Sequence, residues 1–210
     1  MIAVTVSFPL VDDPSTSLLA WTTTPWTLPS NLALCVHPDY TYVKIHDTER
    51  DQNFIIHENL LQTLYKDPKK AKFKKITQFQ GSDMKGWRYE PLFKYFTDQV
   101  ISRLLAILCL LTVKFKFEDK AFRVVVDTYV SDADGTGIVH QAPAFGEDDH
   151  RIAMAHGVLA PEDMPPCPID DRGHFTQEVP DFVGLHVKVK VFMMTVYYIS
   201  NIFHLSKGSG

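Results

Sequence analysis

The sequence is poor in cysteine, and its three cysteines, Cys35, Cys109 and Cys167, lie far apart. The absence of a CxxC pair argues against a zinc ribbon, and an odd number of scattered thiols argues against a disulfide framework. A reducing compartment therefore fits the composition. The first residues carry neither a basic segment nor a long apolar run, so we expect no signal peptide.

Strong charge of either sign is also lacking. The formal net charge is -4, so the global charge does not indicate a nucleic-acid-binding protein. Hydrophobic residues make up 45% of the 210 residues, which predicts one large domain with a real core. Residues 101–113 are too short to span a bilayer and predict a buried helix. Residues 187–205 are rich in β-branched side chains and begin with two lysines, which argues against a membrane helix.

Several catalytic motifs are missing. The sequence has no GxSxG nucleophile elbow, no HExxH zinc motif and no GxxxxGK[ST] phosphate loop. A Cys–His nucleophile pair built on Cys35 or Cys167 stays open, although no neighbouring residue would activate either thiol.

Alternating, β-branched segments predict a chain of short strands, at residues 4–8, 17–24, 32–36, 40–45, 76–79, 122–130 and 137–141. Residues 54–65 have helical spacing, with Asn53 or His57 as the N-cap. Residues 147–156 begin with three acidic side chains and are followed by Gly157, which predicts a short helix. Many strands and few helices indicate a β-rich α+β domain or a barrel.

The first polar cluster is WTTTPWTLPSN at residues 21–31. Its threonine hydroxyls both donate and accept hydrogen bonds, so they suit a neutral polar substrate or an ester with a water. Pro25 and Pro29 restrict the backbone and would pre-organise such a site. The alternative is a threonine-rich strand with a proline turn, and the spacing alone favours that alternative.

The second cluster is GTGIVHQAPAFGEDDH at residues 135–150. His140 ends a predicted strand, and Asp149 lies in the first turn of the predicted helix, where a carboxylate can receive a substrate ammonium. The alternatives are a core histidine and acids that complement the helix dipole. His140, Asp148, Asp149 and His150 also suggest metal ligands, although no paired His or Cys spacing supports this.

Together the two clusters resemble the signature segments of the editing (CP1) domain of isoleucyl-tRNA synthetases of the eukaryotic cytosolic type. GWRYEPLF at residues 86–93 is similar to the stretch between them. The resemblance covers residues 4–96 and 119–187. It implies a single editing domain over residues 1–210, with a β-rich, barrel-like α+β fold and a few peripheral helices. The insert at about 97–118 and the tail at 188–210 depart from the family.

The resemblance implies a hydrolase. Isoleucyl-tRNA synthetases are the standard example of double-sieve editing, in which a second site removes valine from mischarged Val-tRNA(Ile). No HIGH-like or KMSKS-like segment occurs, so no ATP-dependent synthetic site is expected in this chain. The implied partners are the 3′ end of tRNA(Ile) carrying valine and the remainder of the synthetase, in the cytoplasm. No cofactor, metal or membrane is implied.

The resemblance also assigns roles to individual residues. The implied catalytic residues are Thr24, Asn31 and Asp149, and the implied substrate-binding residues are Trp21, Thr22, Thr23 and His140. Thr24 and Asn31 would hold the ester and a water, and Asp149 would pair with the α-ammonium. His140 would limit the size of the side chain, and Trp21 would pack near the terminal adenosine. A non-catalytic module that binds tRNA ends or amino acids and an inert fragment remain the alternatives.

Overall fold

A computed structural model describes residues 3–65, 72–97, 99–100, 114–115, 117 and 120–187. Its strands are β1 (Val4–Pro9), β2 (Thr16–Thr22), β3 (Ala33–Val36), β4 (Thr41–Asp47), β5 (Gln52–His57), β6 (Phe73–Gln80), β7 (Gln99–Val100), β8 (Lys114–Phe115), β9 (Arg123–Val126) and β10 (Ile138–Gln141). Its α-helices are α1 (Leu61–Leu64) and α2 (Glu147–Ala155). Short 3-10 turns occur at Pro25–Ser30, Glu58–Leu60, Gly81–Met84 and Pro180–Phe182.

The larger sheet has the strand order β1-β2-β5-β4-β6. Its neighbouring strands are antiparallel except β2 and β5, which run parallel. Strand β6 lies at one edge, and most of its side chains are exposed. Its sequence FKKITQFQ carries lysines there, and charge on an edge strand discourages pairing with another chain.

The smaller sheet has the order β10-β3-β9, and β3 lies at its centre. All four side chains of β3, Ala33–Val36, are buried. A central strand covered on both faces needs such a continuous apolar run. Strand β3 pairs antiparallel with β10 and places Leu34 opposite His140. The buried centre of this sheet therefore fixes the position of a predicted site residue.

One hydrophobic core joins the two sheets and α2. It contains Phe8 and Leu18 from the larger sheet, Leu34 and Val124 from the smaller sheet, and Ile152 from α2. Burying each such side chain stabilises the fold by about 1.5–3 kcal/mol. A second cluster, formed by Leu19, Val43, Ile45, Phe54 and Ile56, has two leucines of α1 packed against it. The larger sheet is thus apolar on both faces.

Most of the predicted elements are confirmed, and so is the β-rich α+β class. The helix predicted over residues 54–65 is wrong in its first part, because β5 occupies Gln52–His57 between β2 and β4. Only Leu61–Leu64 is α-helical there. The strand predicted over residues 122–130 ends at Val126. The strand pairs of the described residues do not close a barrel, so a barrel stays a prediction.

The predicted helix at 101–113 and the tail at 188–210 lie outside the described residues. The division of the chain into a family-like body, an insert and a tail therefore stays a prediction. Within the described ranges, every helix is too short or too polar to cross a bilayer.

Candidate functional site

A cleft of about 700 Å³ opens where β2 and β10 end and α2 begins. It is lined by residues 21–24, 26–27, 129–131, 133–134, 139–140 and 145–149. Six predicted site residues line it together, namely Trp21, Thr22, Thr23, Thr24, His140 and Asp149. The two polar clusters, more than a hundred residues apart in the sequence, therefore line a single cleft.

The threonine wall of the cleft is held by its own hydrogen bonds. The backbone N–H of Thr24 donates to Thr22 Oγ1 over 3.1 Å, and the two hydroxyl oxygens lie 3.3 Å apart. Pro25 begins the 3-10 turn, and Thr27 closes that turn by donating its hydroxyl to the Thr24 carbonyl over 2.8 Å. Proline fixes φ at the turn. The hydroxyls are thereby pre-organised along one wall.

The facing wall contains His140 of β10. Its Nε2 lies 3.1 Å from Thr27 Oγ1, which links the two walls directly. Burial lowers the pKa of His140 to about 4, so the imidazole is neutral at pH 7. Its buried Nδ1 has no hydrogen-bond partner among the described residues. An uncharged ring at this place suits an apolar substrate group.

Asp149 lies in the first turn of α2. Its Oδ2 accepts a hydrogen bond from the backbone N–H of Ala142 over 3.0 Å. Burial is the main cause that raises the pKa of Asp149, the neighbouring Asp148 raises it further, and the Ala142 N–H opposes both. A Cβ on Gly146 would lie 3.0 Å from the carboxylate carbon, so glycine makes room for this conformation.

The segment 135–137, which leads into β10, is clamped at three successive carbonyls. They accept hydrogen bonds in order from Thr63 Oγ1 at 2.9 Å, from the backbone N–H of His57 at 3.0 Å and from the Tyr42 hydroxyl at 2.7 Å. A Cβ on residue 135 would lie 3.0 Å from the Trp21 ring. The glycine-rich segment is therefore a support for the Trp21 side of the cleft, and it does not form a phosphate loop.

Asn31 is not brought into the cleft. It is buried, its Nδ2 donates to the Ala33 carbonyl over 2.9 Å, and its Oδ1 accepts the Tyr89 hydroxyl over 2.7 Å. Both ends of the amide are thus occupied inside the protein. The predicted role of Asn31 at the ester is not supported by its position.

Three residues that line the cleft were not predicted as site residues from the sequence. Thr27, Tyr129 and Phe145 all line it. Thr27 and Phe145 lie inside the two polar clusters, so only their roles were missed. Tyr129 follows β9, and its hydroxyl accepts a 2.6 Å hydrogen bond from Gln141 Nε2. No motif marks Tyr129, because its position depends on the pairing of β3 with β9.

The alternative chemistries find less support. Among the described residues, no three His, Cys, Asp or Glu side chains gather as a candidate metal site. Cys35 is buried in β3, and burial raises the pKa of its thiol far above the usual range, so it would be a poor nucleophile. The exposed Cys167 does not line the cleft.

The comparison with solved structures identifies the fold. The chain is similar to the crystal structure of GlLeuRS-CP1, with a TM-score of 0.64 and 16% sequence identity, and the match covers 96% of each chain. At this identity the likeness concerns the fold alone. The described architecture therefore has the fold of a CP1 domain. No protein-family model matches the chain.

The comparison with known sequences shows the family to which the chain belongs. The chain is 47% identical over 199 residues to the cytoplasmic isoleucine–tRNA ligase of Saccharomyces cerevisiae, a match that covers 95% of this chain and 17% of that protein. It is 48% identical over 186 residues to the cytoplasmic enzyme of Mus musculus, a match that covers 89% of this chain and 13% of that protein. The chain belongs to the isoleucyl-tRNA synthetase family, and it spans less than a fifth of the length of these relatives.

Proposed function

We propose that the cleft performs post-transfer editing, the hydrolysis of the ester that joins valine to the terminal adenosine of tRNA(Ile). The observation that carries this proposal is the convergence of the threonine wall with His140 and Asp149, linked by the Thr27–His140 hydrogen bond across 113 residues of sequence. Membership of the isoleucyl-tRNA synthetase family supports the choice of substrate.

Asp149 is suited to bind the α-ammonium of the aminoacyl group. Its side chain is partly buried, and this burial raises the pKa of the carboxylate. A desolvated carboxylate gains more from a cationic partner than an exposed one does, because the local dielectric is lower. The acidic start of α2 thus receives the amino end of the substrate.

His140 and Thr27 are suited to limit the size of the amino-acid side chain. The neutral imidazole is held by the Thr27 hydroxyl at 3.1 Å, so its position is fixed. A rigid, uncharged wall accepts the branched methyl groups of valine and excludes the additional methylene of isoleucine. Such a second sieve is needed because one methylene is worth only about 1–3 kcal/mol in a synthetic pocket.

The ester and the attacking water face the hydroxyls of Thr22, Thr23 and Thr24. An aminoacyl ester is already labile, so orienting a water and donating hydrogen bonds to the developing oxyanion suffice, without a covalent nucleophile. A free hydroxyl of the terminal ribose assists. Trp21 lies beside the adenosine. Asn31 is left out of this set, because both ends of its amide are bonded in the interior.

The tRNA body is held by the remainder of the synthetase in this proposal. None of the residues that line the cleft is a lysine or an arginine, and the net charge of the chain is -4. The domain alone therefore has little attraction for a polyanion. The site of action is the cytoplasm, the compartment in the names of the yeast and mouse relatives.

A deacylation assay tests the proposal. The purified chain should release valine from Val-tRNA(Ile) and spare Ile-tRNA(Ile). Asp149→Ala should remove most of that activity, and the matched change Asp171→Ala, at an exposed carboxylate outside the cleft, should not. Binding of a hydrolysis-resistant valyl-adenosine analogue without ester turnover would favour a binding module and sink the hydrolase.

A further inference from the structure

A second hollow adjoins the cleft. It measures about 610 Å³, is lined in part by Pro143, His150 and Arg151, and shares residues 145–147 with the cleft. We call these three residues, which border both spaces, the ridge. A ligand that fills the cleft can therefore continue over this ridge without leaving the protein surface.

Phe145 belongs to this ridge. Its side chain is 37% exposed, and it is the one aromatic residue among the large exposed hydrophobic side chains in the described part of the chain. Its backbone is fixed, because its N–H donates to the Ala142 carbonyl over 2.9 Å and the Ala142 N–H is bound by Asp149. An exposed ring on a rigid turn provides a platform on which a planar group can stack.

The one lysine or arginine that lines either space lies in the adjoining hollow. The cleft is lined by Asp134, Glu147, Asp148 and Asp149, of which Glu147 also belongs to the shared segment, and by no lysine or arginine. The adjoining hollow contains the guanidinium of Arg151, which is half exposed while it binds Asp127 over 2.9 Å and Asp148 over 3.1 Å. His150 lies beside it. A phosphate in the adjoining hollow can thus approach a guanidinium, whereas no lysine or arginine lines the cleft itself.

We propose that Phe145 is the stacking platform for the nucleotide that precedes the terminal adenosine, and that the RNA strand leaves the cleft across the hollow beside His150 and Arg151. This inference rests on the proposed function, since it places the next nucleotide of the same substrate. Base stacking on an aromatic ring tolerates any base, because every base has a π-face, and the stacking contact itself is made between uncharged groups. It therefore suits a site with an acidic lining.

Two hydrolysis-resistant ligands test the inference, valyl-amide analogues of adenosine and of the dinucleotide cytidylyl-adenosine. The ratio of their dissociation constants for the purified chain measures the contribution of the additional nucleotide. We expect the dinucleotide to bind about fivefold or more tightly. Phe145→Leu keeps an apolar lining without an aromatic face and should bring the ratio close to one. Phe145→Trp should preserve the ratio, and so should the distant, exposed-site control Ile76→Ala.

The outcomes separate the two proposals. A Phe145→Leu variant that keeps the full preference for the dinucleotide overturns the stacking platform, whatever happens to the ester. The valyl esters of adenosine and of cytidylyl-adenosine, assayed in parallel, report hydrolysis. Normal dinucleotide preference without any ester turnover would overturn the editing activity and leave the platform intact. Equal binding of both ligands by the parent chain also overturns the platform.

Discussion

At the scale of single residues, the carboxylate of Asp149 decides how the proposed activity depends on pH. Burial raises its pKa above the ordinary range, and only its ionised form can pair with an ammonium. Activity should therefore fall as the pH is lowered through this raised pKa. It should also fall at high pH, where the substrate amine loses its proton, at about pH 8.

Asp149→Asn tests this dependence, because the amide keeps the shape and loses the charge. We expect kcat/KM for Val-tRNA(Ile) to fall about 30-fold or more, since removing one partner of a buried charge pair costs about 2 kcal/mol or more. The acid limb of the pH profile should disappear in the variant. An acid limb that persists unchanged would show that another group titrates there.

His140 should control selectivity more than rate. Replacing it with alanine removes the neutral wall beside Thr27 and leaves room for a further methylene. Hydrolysis of Ile-tRNA(Ile) by His140→Ala should rise about tenfold or more relative to Val-tRNA(Ile), because a methylene is worth about 1–3 kcal/mol. The ratio of kcat/KM for the two substrates is the measurement. A ratio equal to that of the parent chain would remove His140 from the size filter.

The two clusters placed His140, Asp149 and the threonines in the sequence-based site, and the structure brings them together. They could be predicted because both clusters are contiguous and similar to family segments. Asn31 shows the limit. An asparagine at the end of a threonine cluster is a reasonable candidate site residue. In the structure, however, its amide bonds to Tyr89 and to the backbone of β3. Such contacts depend on how distant strands pack.

At the scale of elements, the turn before β10 makes a sharp prediction. Gly137 has φ +72°, and a Cβ there would lie 2.4 Å from the Cβ of His57. Gly137→Ala combines a left-handed backbone with a steric clash, so we expect the free energy of unfolding to fall by about 2–5 kcal/mol.

The matched control is Gly157→Ala at the end of α2. Gly157 has φ +65° and open space around its Cβ position. Only the backbone cost of about 1–2 kcal/mol applies there. Urea unfolding of both variants measures the difference. Equal losses would mean that the packing of β5 against the segment before β10 is looser than described.

Strands and helices could be predicted where a segment showed one clear hydrophobic or capping pattern. They were harder to predict where the same segment fitted both a helix and a strand. Alternation identified β1, and the acidic start with the following glycine identified α2. Residues 54–65 carry a helical spacing, but Phe54, Ile55 and Ile56 are taken up as β5 between two strands. Tertiary pairing overrides local spacing there. No local signal shows which strands are neighbours.

At the scale of the whole molecule, the buried histidines predict that the folded state begins to lose stability at a pH above that at which carboxylates titrate. Burial lowers the pKa of His57 and brings that of His140 to about 4. Between pH 6.5 and 4 the unfolded chain therefore binds more protons than the folded one, and stability falls as the pH falls. Because the pKa of His140 falls from 6.5 to about 4, protonation of this residue alone lowers the free energy of unfolding by about 3 kcal/mol between pH 6.5 and 4.

A second loss should follow at lower pH. Burial raises the pKa of Asp47, but hydrogen bonds from Arg50, Tyr65 and the backbone together outweigh it, so the pKa is lowered. The hydrogen bond from Arg151 lowers the pKa of Asp127. Both carboxylates therefore lose their contribution to stability as the pH falls below the ordinary value of 3.8. The raised pKa of Asp149 instead opposes the first stage in part, because the folded chain takes up this proton at a pH above the ordinary value of 3.8. Urea unfolding at about pH 7, 4 and 3 separates the two stages, because the first lies between pH 6.5 and 4 and the second lies below the ordinary carboxyl value of 3.8. His140→Asn should flatten the first stage, and a parent chain equally stable at all three values would contradict this account.

The Thr27–His140 hydrogen bond joins the 3-10 turn that follows β2 to strand β10, which precedes α2. Neither polar wall is a site by itself, so a nascent or truncated chain that ends before residue 140 has threonines without an opposing ring or carboxylate. Under the proposed function, correctly charged tRNA is thereby protected from an incomplete esterase while the protein is being synthesised. The proposed editing activity then begins only when folding is complete, so that size selection and cleavage arise together.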